Sequence, residues 1–215
     1  MHEIRFYRDP NGVQPAKEFL KNLQNQNSKN ARIQVKQIAS YITLLQERGL
    51  SLNKNIIDKV NEKYNIWELR PGCNRVLFVA WIDGMFVLLH AFQRKLKKHL
   101  SKKLIKPFVK LKILGKGDLM MNNNAIGESW EEVKKELFSP EEIIEIDASA
   151  ALMEQLIEAR QAQGISQKRL EELSGVSQPV IARMEKGITS PQLSTLLKVL
   201  RPLGLTLKIV PVPKT

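Results

Sequence analysis

The chain is poor in the residues that staple or metallate a fold. It has one cysteine, Cys73, in 215 residues. A single thiol closes no internal disulfide, so packing must hold the fold, and a reducing, cytoplasmic setting is expected. Only three histidines occur, His2, His90 and His99, and with Cys73 they show no metal-ligand spacing. No metal and no cofactor is expected. Long apolar runs are missing too. The longest, Val76 to Ile82, is far too short to span a bilayer, and Met1-His2-Glu3 does not open a signal peptide. No membrane partner is expected. What remains is an ordinary apolar fraction of 43% in a chain long enough for one large or two small domains.

Charge is abundant and uneven. Residues 1–120 hold 23 Lys and Arg against 9 Asp and Glu, a balance of +14, whereas residues 121–215 hold 11 against 13, a balance of −2. A basic half of this kind suits a polyanion such as nucleic acid, and the second half has the charge to cover it. A basic, solvated surface is the plainer reading of the same numbers.

The most informative stretch is GISQKRLEELSGVSQPVIARMEKG, residues 164–187. Ser166 can cap a short helix whose apolar side is Leu170 and Leu173. Gly175 supplies a turn with positive φ, and Ser177 caps a second helix with Pro179 in its first turn. Val180, Ile181 and Met184 face inward, Gly187 stops the helix, and Ser190-Pro191 reads as the start of the next. Two short helices across a glycine turn make a helix-turn-helix, whose second helix enters the DNA major groove. Ala182 is left outside, with the expected DNA contacts Gln167, Lys168, Ser177, Gln178, Pro179, Arg183 and Lys186. Glutamine suits adenine, arginine suits guanine, and lysine suits phosphate. Residues Leu152 to Leu203 resemble the Xre/Cro family of repressors, which implies a homodimer on a palindromic operator.

The first half reads as strand, helix, helix, then three strands. Glu3 to Tyr7 alternates and ends at a turn. Pro15 opens a helix with Phe19, Leu20 and Leu23, and Ala31, Val35, Ile38, Ile42 and Leu45 form the stripe of the next, closed by Gly49. Strands are expected at Asn65 to Arg70, Arg75 to Ile82 and Met85 to Phe92, with Asp83-Gly84 as a two-residue hairpin turn. That register pairs Leu77 with His90 and Glu68 with Leu77. It gathers Glu68, Arg70, Arg75 and His90 on one face and leaves Trp67, Leu69, Val76, Phe78, Ala80, Val87 and Leu89 to pack on the helices. Arginines and a histidine on an open sheet face meet the needs of RNA cleavage through the 2′-hydroxyl. That reaction wants a proton acceptor, a donor, and cations for the phosphorane. Equally, Arg70 can simply pair with Glu68, and His90 can be a half-buried strand residue.

WELRPGCNRVLFVAWIDGMFVLLHAF, with the elements before it, resembles the RelE-type toxin superfamily, in its HigB or phage-derived Gp49-like branch, over residues 1–95. The resemblance implies an α+β fold: a small antiparallel sheet on two helices, followed here by the all-α helix-turn-helix bundle. It implies ribosome-dependent mRNA cleavage, with Arg70, Arg75, His90, Arg94 and Lys95 as catalytic residues and Lys59 and Lys63 as RNA contacts.

Residues 94–117 carry ten Lys and Arg and no acid. The family resemblance implies a tail like KKTQKTPKxEI there, where the chain reads RKLKKHLSKKLIKP. Arg94 to Pro107 can be back-translated with ordinary codons whose neighbouring frame reads KTQKTPKQEIDKA. Residues 96–120 are thus a basic tail or linker that fits a shifted reading frame, and Met120 or Met121 fits the start of a second protein. Asn122 to Gly127 reads as an exposed linker. Ser129-Trp130-Glu131-Glu132 and Ser139-Pro140-Glu141-Glu142 are capping boxes, each opening a short helix. Glu128 to Asp147 holds eight acids and two lysines, an arm suited to lie on the basic half. Leu152, Leu156 and Ala159 begin the bundle, Leu193, Leu196, Leu197 and Leu200 give its last helix, and Leu205 to Val210 alternates like a strand.

The order toxin then helix-turn-helix antitoxin resembles HigBA systems, here in one polypeptide. The expected function is an mRNA endonuclease (mRNA interferase) followed by its neutralising, autorepressing antitoxin. The alternative is a single transcriptional regulator whose basic domain senses a partner and cuts nothing. The gene's own bases test the frame: a KTQKTP-like string should lie in the adjacent frame beside the codons for Arg94 to Pro107, and its absence would exclude the shift.

Overall fold

The computed structural model describes residues 1–81, 84–94, 125–188 and 191–208. The chain forms two compact units, Met1–Ala150 and Ala151–Thr215. The fold class is α+β, as the resemblance implies.

In the first unit, strand β1 (Ile4–Tyr7) leads into helix α1 (Pro15–Gln24), which has proline at its start and buries Ala16, Leu20 and Leu23. Helix α2 (Lys29–Arg48) is capped by the Ser28 hydroxyl, which accepts from Ala31 N at 3.1 Å, and ends at Gly49 with φ 57°. All five residues of its expected stripe are buried. So are Ser40, Thr43 and Leu44, which a helix lying on a sheet with its back to water would leave wet.

Strands β2 (Ile57–Asn61), β3 (Ile66–Leu69), β4 (Asn74–Ala80), β5 (Phe86–Gln93) and β6 (Ile126–Ser129) complete a mixed sheet of six strands in the order β2-β3-β4-β5-β1-β6. The expected all-antiparallel sheet is corrected at one pair, since β1 runs parallel to β5. Two strands have no expectation behind them. β2 reads IDKVN, an edge strand with Ile57 alone buried, so no apolar alternation betrays it.

The hairpin register differs from the two-residue turn. Ile82 and Asp83 lie outside the described residues, and Ala80 pairs with Phe86, one residue out of step. A bulge between Leu77 and Phe78, opposite Leu88–His90, absorbs the extra residue, so Leu77 still pairs with His90. The bulge also changes faces. Val87 and Leu89, expected against the helices, instead cluster with Tyr7, Ile66, Leu77, Val79 and Phe92 on the arginine side. Leu69, Val76 and Phe78 keep the expected face by register and are fully buried.

Residues Ile126 to Gly127 are not an exposed linker. β6 pairs antiparallel with β1, Ala125 O accepts from Arg8 N at 2.8 Å, and Gly127 is buried. A Cβ on Gly127 would stand 2.9 Å from Phe6 O and 2.3 Å from Gln14 Oε1, so only glycine admits this approach. Both capping boxes form: Ser129 with Glu132 opens helix α3 (Trp130–Leu137), and Ser139 with Glu142 opens helix α4 (Pro140–Ala162). The second helix is long rather than short, at 23 residues.

The arm of β6, α3 and the first turns of α4 covers the outer side of α1 and α2. Trp130 is fully buried, with Nε1 donating to Thr43 Oγ1 at 3.4 Å and its ring centroid 6.4 Å from that of Phe6. Its burial alone stabilises the dock by roughly 3 kcal/mol. Around it the arm's acids find the basic half. Glu128 and Glu136 flank Lys17 at 2.5 and 2.7 Å, Glu136 also reaches Lys21 at 2.7 Å, and Glu142 and Glu145 reach Lys36 at 3.3 and 2.7 Å. Glu131 accepts from Gln46, and Ser40 Oγ donates to Ile146 O at 3.3 Å. Burial pulls the Lys17 ammonium down, but its two carboxylates outweigh that and hold it above its ordinary range. The bond from Lys17 holds Glu128 below the usual carboxylate range, with Gln14 adding to it.

In the second unit, helices α5 (Gln167–Ser174), α6 (Gln178–Glu185) and α7 (Leu193–Leu200) pack with the end of α4 around Leu156, Leu170, Ile181, Met184, Val199 and Leu200. Ser166 caps α5 through Arg169 N at 3.0 Å, and Gly175 turns the chain at φ 68°. Four details differ from expectation. The Ser177 side chain makes no cap bond; its carbonyl accepts from Ile181 N at 3.1 Å. Ser190 lies outside the described residues, and Gln192, not a Ser-Pro pair, precedes α7. Leu173, Leu193 and Leu197 are exposed, because the stripe that meets the core is Leu196, Val199, Leu200 and Leu203. Residues 205–208 form no strand, since Gly204 at φ 69° turns Leu205 back onto the bundle; Ile209 and Val210 lie outside the described residues.

Under this unit lies a buried ion pair. Arg160 grips Glu185 with Nε and Nη2 and donates from Nη1 to Ile165 O at 2.8 Å.

Glu185→Ala would strand the Arg160 charge and should cost about 3–5 kcal/mol in urea unfolding followed on the second unit. The arm has its own pH signature. With Glu128 depressed, its contribution is present above the ordinary glutamate pKa of about 4.3 and is lost as pH falls through the lower folded value. With Lys17 raised, its contribution is present below about 10.4 and is lost as pH climbs through the higher folded value. Urea midpoints of the first unit should therefore fall on acidification below about pH 4, and Glu128→Gln should flatten that slope.

Candidate functional site

The sheet face away from α1 and α2 carries the first site. Register aligns Asp58, Glu68, Leu77 and His90 across four strands. Arg75 begins β4 and Arg70 ends the β3 segment, so both arginines stand beside Glu68. Arg70 Nε donates to Glu68 Oε1 at 2.8 Å, its Nη2 to Asp58, and its Nη1 to Lys54 O at 3.4 Å. Arg75 is buried, with Nε 3.6 Å from the same Glu68 oxygen and Nη1 donating to Gly72 O at 3.1 Å and Asn74 O at 2.5 Å. Burial draws its pKa down, the Glu68 charge opposes that, and Arg94 and Arg70 add to the lowering.

His90 lies in the same row, half-buried, its ring stacked with Phe92 at 6.3 Å between centroids. Burial lowers its pKa, so at neutral pH it is a neutral imidazole, suited to accept a proton. Its Nδ1 has no hydrogen-bond partner among the described residues. Arg94 is exposed at the end of β5, its amide donating to Cys73 O at 2.8 Å. Lys95 lies outside the described residues.

The structure thus gathers Arg70, Arg75 and His90, with Arg94 at the rim. Three guanidiniums face two carboxylates, leaving a modest excess of positive charge for a phosphate. It does not bring the two lysines to that face. Lys59 pairs with Trp67 on the opposite side of the sheet, 5.4 Å over its ring, and bonds Glu62 at 2.7 Å. Lys63 is exposed and lies 5.3 Å over the Tyr64 ring. Sequence reasoning missed Asp58, because the polar strand that carries it shows no alternation.

The second site is the exposed side of α5 and α6. Lys168, Ser177, Pro179, Arg183 and Lys186 are exposed there, while Gln167 and Gln178 are half-buried. The two glutamines are locked in a chain: Gln178 Nε2 donates to Gln167 Oε1 at 3.0 Å, and Gln167 Nε2 donates to Glu185 Oε2 at 2.7 Å. Glu185, itself held by Arg160, therefore sets the position of both amides.

Comparison with known proteins divides the chain in the same way. Residues 18–107 match the family described as phage derived protein Gp49-like, and residues 156–210 match the helix-turn-helix family. A Haemophilus influenzae protein named as an uncharacterized HTH-type transcriptional regulator is 58% identical over 86 residues, which are 40% of this chain and 88% of that protein. The HTH-type transcriptional regulator PuuR of Escherichia coli is 44% identical over 61 residues, 28% of this chain and 33% of its own length. This chain therefore spans about a third of PuuR. A solved chain from a toxin–antitoxin module of Streptococcus pneumoniae is 67% identical, covering 42% of this chain and all of that one, with a TM-score of 0.38. Among the described residues, no helix is long and apolar enough to cross a membrane. The chain thus carries a Gp49-like domain of the RelE/HigB toxin type in its N-terminal half and an Xre-type helix-turn-helix domain in its C-terminal half.

Proposed function

We propose that this chain is a toxin and its antitoxin in one polypeptide. The first unit's sheet is an mRNA endonuclease acting on the ribosome, the arm of β6, α3 and α4 restrains it, and the helix-turn-helix represses transcription as a dimer on a palindromic operator. The observation that carries the reading is the dock of the acidic arm on the basic half, through Lys17, Lys21 and Lys36 around Trp130. Such a dock is what an antitoxin needs and a linker does not.

In the chemistry we propose, neutral His90 accepts the 2′-hydroxyl proton as that oxygen attacks the phosphorus, Arg75 and Arg94, with Lys95, stabilise the phosphorane charge, and the P–O5′ bond then breaks with the leaving 5′-oxygen protonated by water. Arg70 holds Glu68 and Asp58 in place and leaves them to contact RNA. Lys59 and Lys63 contact the RNA backbone beyond the site. The arm's named partners lie on α1 and α2, whereas Arg70 and Arg75 are engaged by Asp58, Glu68 and the turn carbonyls. This favours restraint by blocking ribosome entry over plugging of the site.

A second reading has its own support. Both central arginines are already paired, and the Haemophilus influenzae relative is named a transcriptional regulator. On this reading the basic unit senses a partner and cuts nothing, and a frame-shifted tail after Arg94 would account for the loss.

Expression of residues 1–119 alone should arrest growth and fragment mRNA, and either residues 121–215 on a second chain or Arg75→Ala should relieve both. Absence of arrest from a soluble, folded first half would favour the regulator. Restoring the KTQKTP-like tail would then separate a damaged toxin from a domain that never cut RNA.

A further inference from the structure

One atom outside the arginine row ties its two rims together. Gln34 lies on α2 and is 9% exposed. Its Oε1 accepts from Asn74 Nδ2 at 3.1 Å, from Gln93 Nε2 at 3.0 Å and from Cys73 Sγ at 3.4 Å. Cys73 and Asn74 belong to the turn between β3 and β4, closed by Asn74 N donating to Pro71 O at 2.9 Å. The carbonyls of that turn, Gly72 O and Asn74 O, are the ones that hold the Arg75 guanidinium. Gln93 ends β5 and precedes Arg94, whose own amide returns to Cys73 O. α2 also lies close beside the turn, since a Cβ on Gly72, at φ 56°, would stand 2.7 Å from Gln37 Oε1.

Three donors converging on one buried carbonyl oxygen exceed its two lone pairs, so they share a crowded acceptor whose loss leaves all three without it at once. We propose that Gln34 is the positioning residue of the arginine site: its amide oxygen couples the turn that aims Arg75 to the strand end that delivers Arg94. This rests on the nuclease reading for its purpose but not for its geometry. Gln34 touches no substrate. It works by keeping two guanidiniums, carried on different strands, at a fixed separation for one phosphate.

Cys73 is the only thiol in the chain, so a thiol-specific reagent reports on this turn alone. In the full-length protein, Gln34→Leu removes the acceptor at similar volume, and Gln34→Glu keeps an acceptor oxygen. Labelling of Cys73 should speed up about fivefold in the leucine variant, the loss of one ordinary hydrogen bond. Exchange of the Arg75 Nε–H signal should rise with it, and the glutamate variant should restore that exchange, while its carboxylate, by disfavouring the thiolate, keeps Cys73 labelling no faster than in the parent protein. Unchanged labelling and unchanged Arg75 exchange in a folded leucine variant would overturn the proposal. If that variant fails to fold by circular dichroism, Gln93→Ala removes a single half-exposed donor. Exchange of the Arg94 amide should then rise with α2 intact, and no rise would overturn the coupling. An uncleavable 2′-O-methyl hexaribonucleotide tests the purpose separately. Shifts of Arg75 and Arg94 on its addition, weakened by leucine and restored by glutamate, support the positioning role. Shifts of equal size in all variants overturn it. No shift in the parent protein is what ribosome-dependent cleavage expects of free RNA; growth arrest and mRNA fragmentation then decide the nuclease reading, and the thiol and exchange results decide Gln34's hold on the turn.

Discussion

Helix α2 has to be dry on two sides. Its inner side meets the sheet, and its outer side, with Ser40 and Thr43, is closed by Trp130 and the first turns of α4. This constraint organises the first unit. It explains why a strand of four residues, β6, is added at the β1 edge, why Gly127 must lack a side chain there, and why the arm is acidic. Burial of Trp130, together with the buried Val133, Phe138 and Ile146, favours the dock through apolar area, and the ion pairs around it set the register. Exposed pairs are individually weak, so Glu128 and Glu136 on the nearly buried Lys17 matter more than Glu145 on Lys36.

The same helix reaches the arginine row indirectly, near its N-terminal end, where Gln34 meets the turn before Arg75. Arm and site thus share a scaffold without sharing contacts among the described residues. Guanidiniums held by Glu68, Asp58 and backbone carbonyls are fixed in direction before any phosphate arrives, which lowers the reorganisation that binding a dianionic transition state would need. Their pairing also limits how much bare positive charge the unit carries.

Much of this was legible in the residues. The helix stripes, the positive-φ glycines at 49 and 175, both capping boxes and the Leu77–His90 pair follow from periodicity and turn chemistry. The acidic arm was legible as charge seeking charge. What escaped has physical causes. Strand β2 exposes most of its side chains, and β6 is too short to alternate, so neither leaves a pattern in the sequence. The bulge near Leu89 is a tertiary adjustment, which moved Val87 and Leu89 across the sheet while leaving the Leu77–His90 pair in place. In the last helix, Val199 rather than Leu197 meets the core, a choice of phase that a leucine-rich segment does not declare. Gln34 was invisible because a lone glutamine on a helix shows nothing of what it will accept.

Strands β5 and β6 flank β1, so the chain leaves the sheet at Arg94 and rejoins it at Ala125 two strand spacings across and about four residues along, roughly 15 Å away. Thirty residues lie between, with a contour of about 100 Å at most. A covalent tether of that length keeps the arm at a local concentration on the order of millimolar, whatever the amount of protein in the cell. Dilution therefore leaves the arm seated, and each arginine-bearing unit is synthesised with one arm of its own. Two separate proteins can drift out of balance when one is made or degraded faster; a single chain holds its stoichiometry until the peptide backbone itself is cut.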